Sequence, residues 1–158
     1  MIEVNGMAHV ILTVGQWEKA CAFYGKLCPF LGMQQVFEGN NFLYNVGGRT
    51  ALGIQRCSSE FLGEAFHQNR IGLHHLCFRA RSRADVDSAA SFLRKMGACI
   101  DRGPMEGAWA PGYYFFVFED PDGIRLEINY IPGKGVLAGP TPLSVSEDPN
   151  INMDPYKL

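Results

Sequence analysis

A chain of 158 residues is one ordinary domain or two small modules sharing a core. With 47% hydrophobic and 19% charged residues it can build a packed interior, which excludes intrinsic disorder for most of its length. A net charge of −2 argues against a nucleic-acid or anionic-membrane partner, and no apolar run approaches the roughly 18 residues of a spanning helix.

In chain order, residues 7–14 (MAHVILTV) are β-rich and read as a buried strand. From Trp17 the pattern turns helical, with Trp17, Ala20, Cys21, Tyr24 and Leu27 on one stripe that Pro29 is expected to end. Two or three short strands are expected within 33–56, punctuated by Gly39-Asn40-Asn41 and Gly47-Gly48. An irregular loop, 57–72, leads to a second strand at 73–80. Ser82 is placed to cap a helix, with Asp85 as its capping-box partner, an apolar stripe through Val86, Ala89, Ala90, Leu93 and Met96, and Gly97 at the end. Strands follow around Cys99, at 113–119 and at 124–130, the last two joined by Pro121-Asp122-Gly123. Residues 132–158, rich in proline, read as an extended C-terminal tail, with an arm over a cleft or a partner subunit as the functional counterpart. The cysteines (Cys21, Cys28, Cys57, Cys77, Cys99) are odd in number and contain no CxxC pair. They read as small buried hydrophobes in a reducing compartment. With no basic-then-apolar opening at the N-terminus, a cytoplasmic protein is expected.

The chain repeats itself. AHVILTV (8–14) aligns with HHLCFRA (74–80), setting His9 opposite His75, and each strand precedes an amphipathic helix. Residues 41–55 align with 115–129 with one residue of slack, setting Leu-Gly-Ile opposite Leu-Glu-Ile. A strand–helix–strands unit used twice predicts an α+β fold of paired βαβββ modules, about 5–56 and 72–131, whose mixed sheets cup a shared cleft. Together they make one domain over 1–131.

Three residues stand at matching places in this repeat: His9 and His75 on the first strands and Glu127 on the last. Strand side chains alternate, so within 73–80 either His74 or His75 faces inward; the repeat selects His75 and leaves His74 facing away. Two imidazoles and one carboxylate form a facial triad suited to Fe(II), Mn(II), Ni(II) or Zn(II), with positions left open for substrate or water. Arg79, in phase with His75, is a candidate for the pocket wall, and a salt bridge at the strand end is its alternative. Tyr113 and Tyr114 are further candidates whose phase the sequence leaves open. Glu127, Arg79 and Tyr114 are taken as the catalytic set. The segment 103–114, with Trp109, reads as a lid or as a packed connection.

These residues resemble the vicinal oxygen chelate superfamily, which groups glyoxalase I, bleomycin-resistance proteins, fosfomycin-resistance thiol transferases, methylmalonyl-CoA epimerase and extradiol dioxygenases. The resemblance spans roughly 7–131. It is carried by His9 in AHVILTV, AFYGKL (22–27), GLHHLCFRA (72–80) and, most specifically, FEDPDGIRLEINY (118–130). It implies a homodimer with one divalent ion in the cleft, Glu127 as a metal ligand, and a small-molecule substrate held through two adjacent oxygens. The implied chemistry is that of a dioxygenase or a glyoxalase-like lyase. A bleomycin-resistance type that sequesters its ligand without turnover is the alternative. One position departs from the pattern: where glyoxalase I and the epimerase have a fourth ligand, this chain has Gly53, with Gln55 two residues on. A two-base isomerisation loses a base there, which leans the expectation toward O₂ chemistry.

Overall fold

The computed structural model describes residues 2–4 and 6–133. Most of the expected tail lies outside the described residues. The chain divides into two compact units, one running to Gly72 and including Asp120–Ile124, the other formed by Leu73–Glu119 and the chain from Arg125.

In the first unit β1 (His9–Val14), α1 (Trp17–Phe30), β2 (Gln34–Glu38), β3 (Phe42–Val46) and β4 (Ala51–Arg56) form a four-stranded sheet of order β1-β4-β3-β2 under one helix. In the second, β5 (Leu76–Arg79), α2 (Arg83–Lys95), β6 (Cys99–Glu106), β7 (Tyr114–Glu119) and β8 (Arg125–Tyr130) repeat that order as β5-β8-β7-β6. Each first strand runs parallel to the last and the remaining pairs are antiparallel. This is the expected α+β class, with two mixed sheets and two helices. The pairing also fixes the repeat at single-residue level: Ile11 opposes Gly53 in the first unit and Cys77 opposes Glu127 in the second. His9 and His75 each stand two residues before those pairs.

Alternation explains which face does what. On β1, Leu12 and Val14 are buried while His9, Ile11 and Thr13 are exposed, so one face packs and the other stays open. Val14 joins Tyr24, Leu27, Leu43 and Ile54 in the core of the first unit. Val86, Leu93, Phe116 and Leu126 do so in the second. The helix ends differ slightly from expectation. α1 runs one residue past Pro29, whose missing N–H matters little in a last turn. Ser82 caps α2 as expected by accepting from the Asp85 amide, but the Asp85 carboxylate returns to the serine hydroxyl at 2.8 Å rather than to backbone.

The Asp-Pro-Asp-Gly turn joins β7 to β8 yet belongs to the first unit. Asp122 accepts from the Gly15 and Gln16 amides at 3.0 Å, capping α1, which has no side-chain cap of its own. Asp120, buried, accepts from the Tyr24 hydroxyl at 2.9 Å and from the Asp122 and Ile124 amides. Among the described residues no helix is long and apolar enough to cross a membrane.

Candidate active site

Strand β8 is buried on both faces. Leu126 and Ile128 are apolar, but between them Arg125, Glu127 and Asn129 are only 8%, 5% and 8% exposed. Charged groups persist in such a place only where partners compensate their lost hydration. The partners define the site.

The Tyr113 hydroxyl donates to Glu127 Oε1, and Asn129 Nδ2 donates to the Tyr113 oxygen at 2.7 Å. Burial, and then the carboxylate it bonds, push the Tyr113 phenol well above its ordinary range, so it remains a proton donor. The second oxygen, Oε2, faces His75 Nε2 at 3.5 Å. Solvent reaches Cys77, the pairing partner of Glu127. Yet desolvation by its surroundings, and then the Glu127 charge, raise its thiol, which makes it a poor nucleophile.

His74 departs from expectation. Strand β5 begins only at Leu76, so the alternation assumed for 73–80 does not govern residues 74 and 75. Both imidazoles line one pocket, with Nδ1 atoms 2.7 Å apart. One ring must therefore donate to the other. If His75 donates, its Nε2 turns a lone pair toward Glu127 Oε2, and two acceptors face each other across a gap suited to a cation. If His74 donates, the His75 Nε2 hydrogen points at the carboxylate instead.

The pocket also has Arg102, Trp109, Phe115, Val117 and Arg125 in its lining. The segment 103–114 divides: its first part is the end of β6, and beyond it Trp109 packs edge-on against Phe115 at 4.9 Å and beside Tyr113 at 5.0 Å. Tyr114 points to the other side of β7, where its hydroxyl donates to Asp87 of α2 at 2.8 Å and Arg83 lies over its ring. Tyr113, not Tyr114, reaches Glu127. Arg79 is in phase with Cys77 and donates to the Ile131 carbonyl at 3.3 Å.

In the first unit, His9 packs edge-on to Tyr44, and Phe42 stacks on Tyr44. Gly53, the counterpart of Glu127, sits beneath this surface: a Cβ there would meet Ile11 at 3.0 Å and the Phe42 ring at 3.1 Å. Ile11 and the Phe42 ring fill the space that a side chain at position 53 would need. Gln55 turns its amide to the Arg56 carbonyl at 3.3 Å. Among the described residues no three His, Cys, Asp or Glu side chains converge as a metal-binding group. His75 and Glu127 bring two such donors together.

The sequence profile of the Glyoxalase/Bleomycin resistance protein/Dioxygenase superfamily matches residues 6–128. YqjT, an uncharacterised protein of Bacillus subtilis (strain 168), is 31% identical over 125 residues, spanning 77% of this chain and 96% of its own. A crystallised Bacillus halodurans protein, described provisionally as a glyoxalase, is 32% identical with a TM-score of 0.72, over 80% of this chain and 96% of that one. A lactoylglutathione lyase from Agrobacterium tumefaciens shares the fold at 20% identity, with a TM-score of 0.59 over 80% and 94% of the two chains.

Proposed function

The chain belongs to the Glyoxalase/Bleomycin resistance protein/Dioxygenase superfamily, and from that premise we propose that it is a divalent-metal-dependent enzyme acting on a small oxygen-rich molecule. The proposed ligands are His9, His75 and Glu127. The observation that carries the reading is the pair His75 Nε2 and Glu127 Oε2, 3.5 Å apart, the half-buried imidazole just ahead of β5 facing a carboxylate buried on β8. The repeat supports His9 as the third donor, because His9 and His75 each stand two residues before the matching pairs Ile11–Gly53 and Cys77–Glu127.

When bound, a divalent ion supplies a Lewis acid for two adjacent substrate oxygens. The chain's own groups prepare the ligands. Tyr113 occupies Glu127 Oε1 and leaves Oε2 facing His75, while Asn129 fixes the direction of the phenol. His74 orients the His75 ring through its Nδ1, the usual task of an outer-shell partner. Trp109 and Phe115 keep one wall apolar.

Gly53 favours O₂-dependent chemistry over a two-base isomerisation. No carboxylate stands at the counterpart of Glu127, and the packing of Phe42 and Ile11 leaves a side chain no room there without displacing them. Assembly as a cytoplasmic homodimer belongs to the same proposal and rests on the family resemblance.

Protein loaded in turn with Fe(II), Mn(II), Ni(II) or Zn(II) tests this against catechols and hemithioacetals. The expected result is oxygen uptake with a catechol that a chelator abolishes. Tight ligand binding without turnover, unchanged after chelation, would instead establish a sequestering protein.

A further inference from the structure

The face of the second sheet that carries Glu127 also carries two guanidinium groups to which the metal reading gives no task. Arg102 on β6 pairs with Val117 on β7, which pairs with Glu127 on β8, so the three form one row across the sheet. Arg102 reaches this row through a bulge. Ile100 pairs with Phe118, and an unbroken ladder would set Arg102 opposite Phe116, on the face buried against α2. The register shift turns Arg102 to the pocket side instead. A second shift follows at once, around Gly103. That residue has φ +83°, and a Cβ on it would lie 2.5 Å from the Phe115 carbonyl oxygen. Arg125, two residues before Glu127, lies on the same face.

The acids near these arginines satisfy them only in part. Asp101 takes Arg102 Nε at 2.8 Å, and Arg102 lines the pocket. Arg125 is 8% exposed, yet its nearest acidic oxygens, on Asp101 and Glu119, lie 3.6 and 3.9 Å away, both too far for a hydrogen bond. One carboxylate is thus shared by two cations beside an apolar wall. A guanidinium so desolvated is stabilised strongly by an oxyanion that its fork can hold in two places.

We propose that this pocket binds a carboxylate of the ligand on Arg102 and Arg125, with the ligand body beside the half-buried Trp109. The inference deepens the proposed function, which it needs for the reaction but not for the binding: the small oxygen-rich substrate, a catechol included, carries a carboxylate.

Chelator-treated protein is titrated calorimetrically with benzoate, with benzamide as its neutral planar counterpart, and with phenylphosphonate. Benzoate is expected to bind more tightly than benzamide, and Arg102→Gln to weaken benzoate alone by about tenfold, the scale of one charge-assisted hydrogen bond. Asp101→Asn provides a second arm that moves the opposite way. It removes the internal competitor for both guanidiniums, so benzoate affinity rises, whereas a merely structural role for Asp101 lowers it. Equal binding of benzoate and benzamide, or weaker benzoate binding in Asp101→Asn, overturns the proposal. Tighter binding of phenylphosphonate than of benzoate overturns the carboxylate assignment in favour of a phosphonate. Because the protein is metal-free throughout, failure of the metal reading leaves this result untouched.

Discussion

Replacing Glu127 with glutamine is expected to lower affinity for divalent ions by more than about 100-fold, beyond what losing an outer-shell partner costs. The amide keeps an oxygen to accept from Tyr113, so the hydrogen bonds of Tyr113 and Asn129 survive and the metal-free protein should melt near the parent temperature. What disappears is the anionic oxygen facing His75. Tyr113→Phe is the graded control. It keeps the carboxylate but removes the donor that orients it, and about a tenfold loss is expected. Competition titration against a chelator of known affinity measures both. An unchanged affinity in Glu127→Gln removes this residue from the ligand set.

The largest effect on stability is expected at Asp120. Its carboxylate accepts from Tyr24, a fully buried tyrosine, and from two amides of the turn into β8. Asp120→Ala strands those three donors, at a cost on the order of 3–5 kcal/mol, since each orphaned buried group costs about 1–3 kcal/mol and partial relaxation offsets some of it. The residue also makes stability depend on pH. Desolvation raises the carboxyl to about 6, against the opposing pull of its hydrogen bonds. A carboxyl raised in the folded state favours folding while protonated. Its contribution is full below the unfolded value near 4 and is lost as pH rises through about 6. Asp120→Asn keeps an acceptor for the turn amides and has no charge to desolvate. Its stability relative to the parent should therefore climb between pH 4 and pH 7, by up to roughly 3 kcal/mol. Urea unfolding at the two pH values measures the difference, and a parallel response of the two proteins would show that Asp120 is not the titrating group.

How much of this was legible in the sequence follows from how local each feature is. The doubled unit was readable because it rests on patterns within single elements: the alternation of HVILTV, the stripe from Trp17, the cap at Ser82. The pairing of Gly53 with Ile11 and of Glu127 with Cys77 keeps the same register that the hydrophobic pattern of the two halves has in sequence. His74 escapes the alternation rule because strand pairing begins only at Leu76, two residues further on. The phase of Tyr113 was open but recoverable. A hairpin centred on Asp122 sets Val117 opposite Glu127, which brings Phe115 and Tyr113 to the Glu127 side and sends Tyr114 to α2. Arg102 was not recoverable. Its direction depends on the register shift between Ile100 and Arg102 in β6, and a bulge leaves no periodic trace in one strand's sequence. The task of Asp120 and Asp122 was equally hidden: the turn was legible as a turn, while its partners, on α1 and just ahead of it, are more than ninety residues away.

The central claim is a divalent ion held by His9, His75 and Glu127, and elemental analysis tests it most directly. Protein purified without added metal, and again after incubation with Fe(II), Mn(II), Ni(II) or Zn(II) and removal of excess, is compared with His9→Ala handled identically. The account predicts about one ion per chain in the parent and its loss in the variant, as removal of one of three ligands requires. No metal in the parent under any of these conditions, or equal content in His9→Ala, would contradict it.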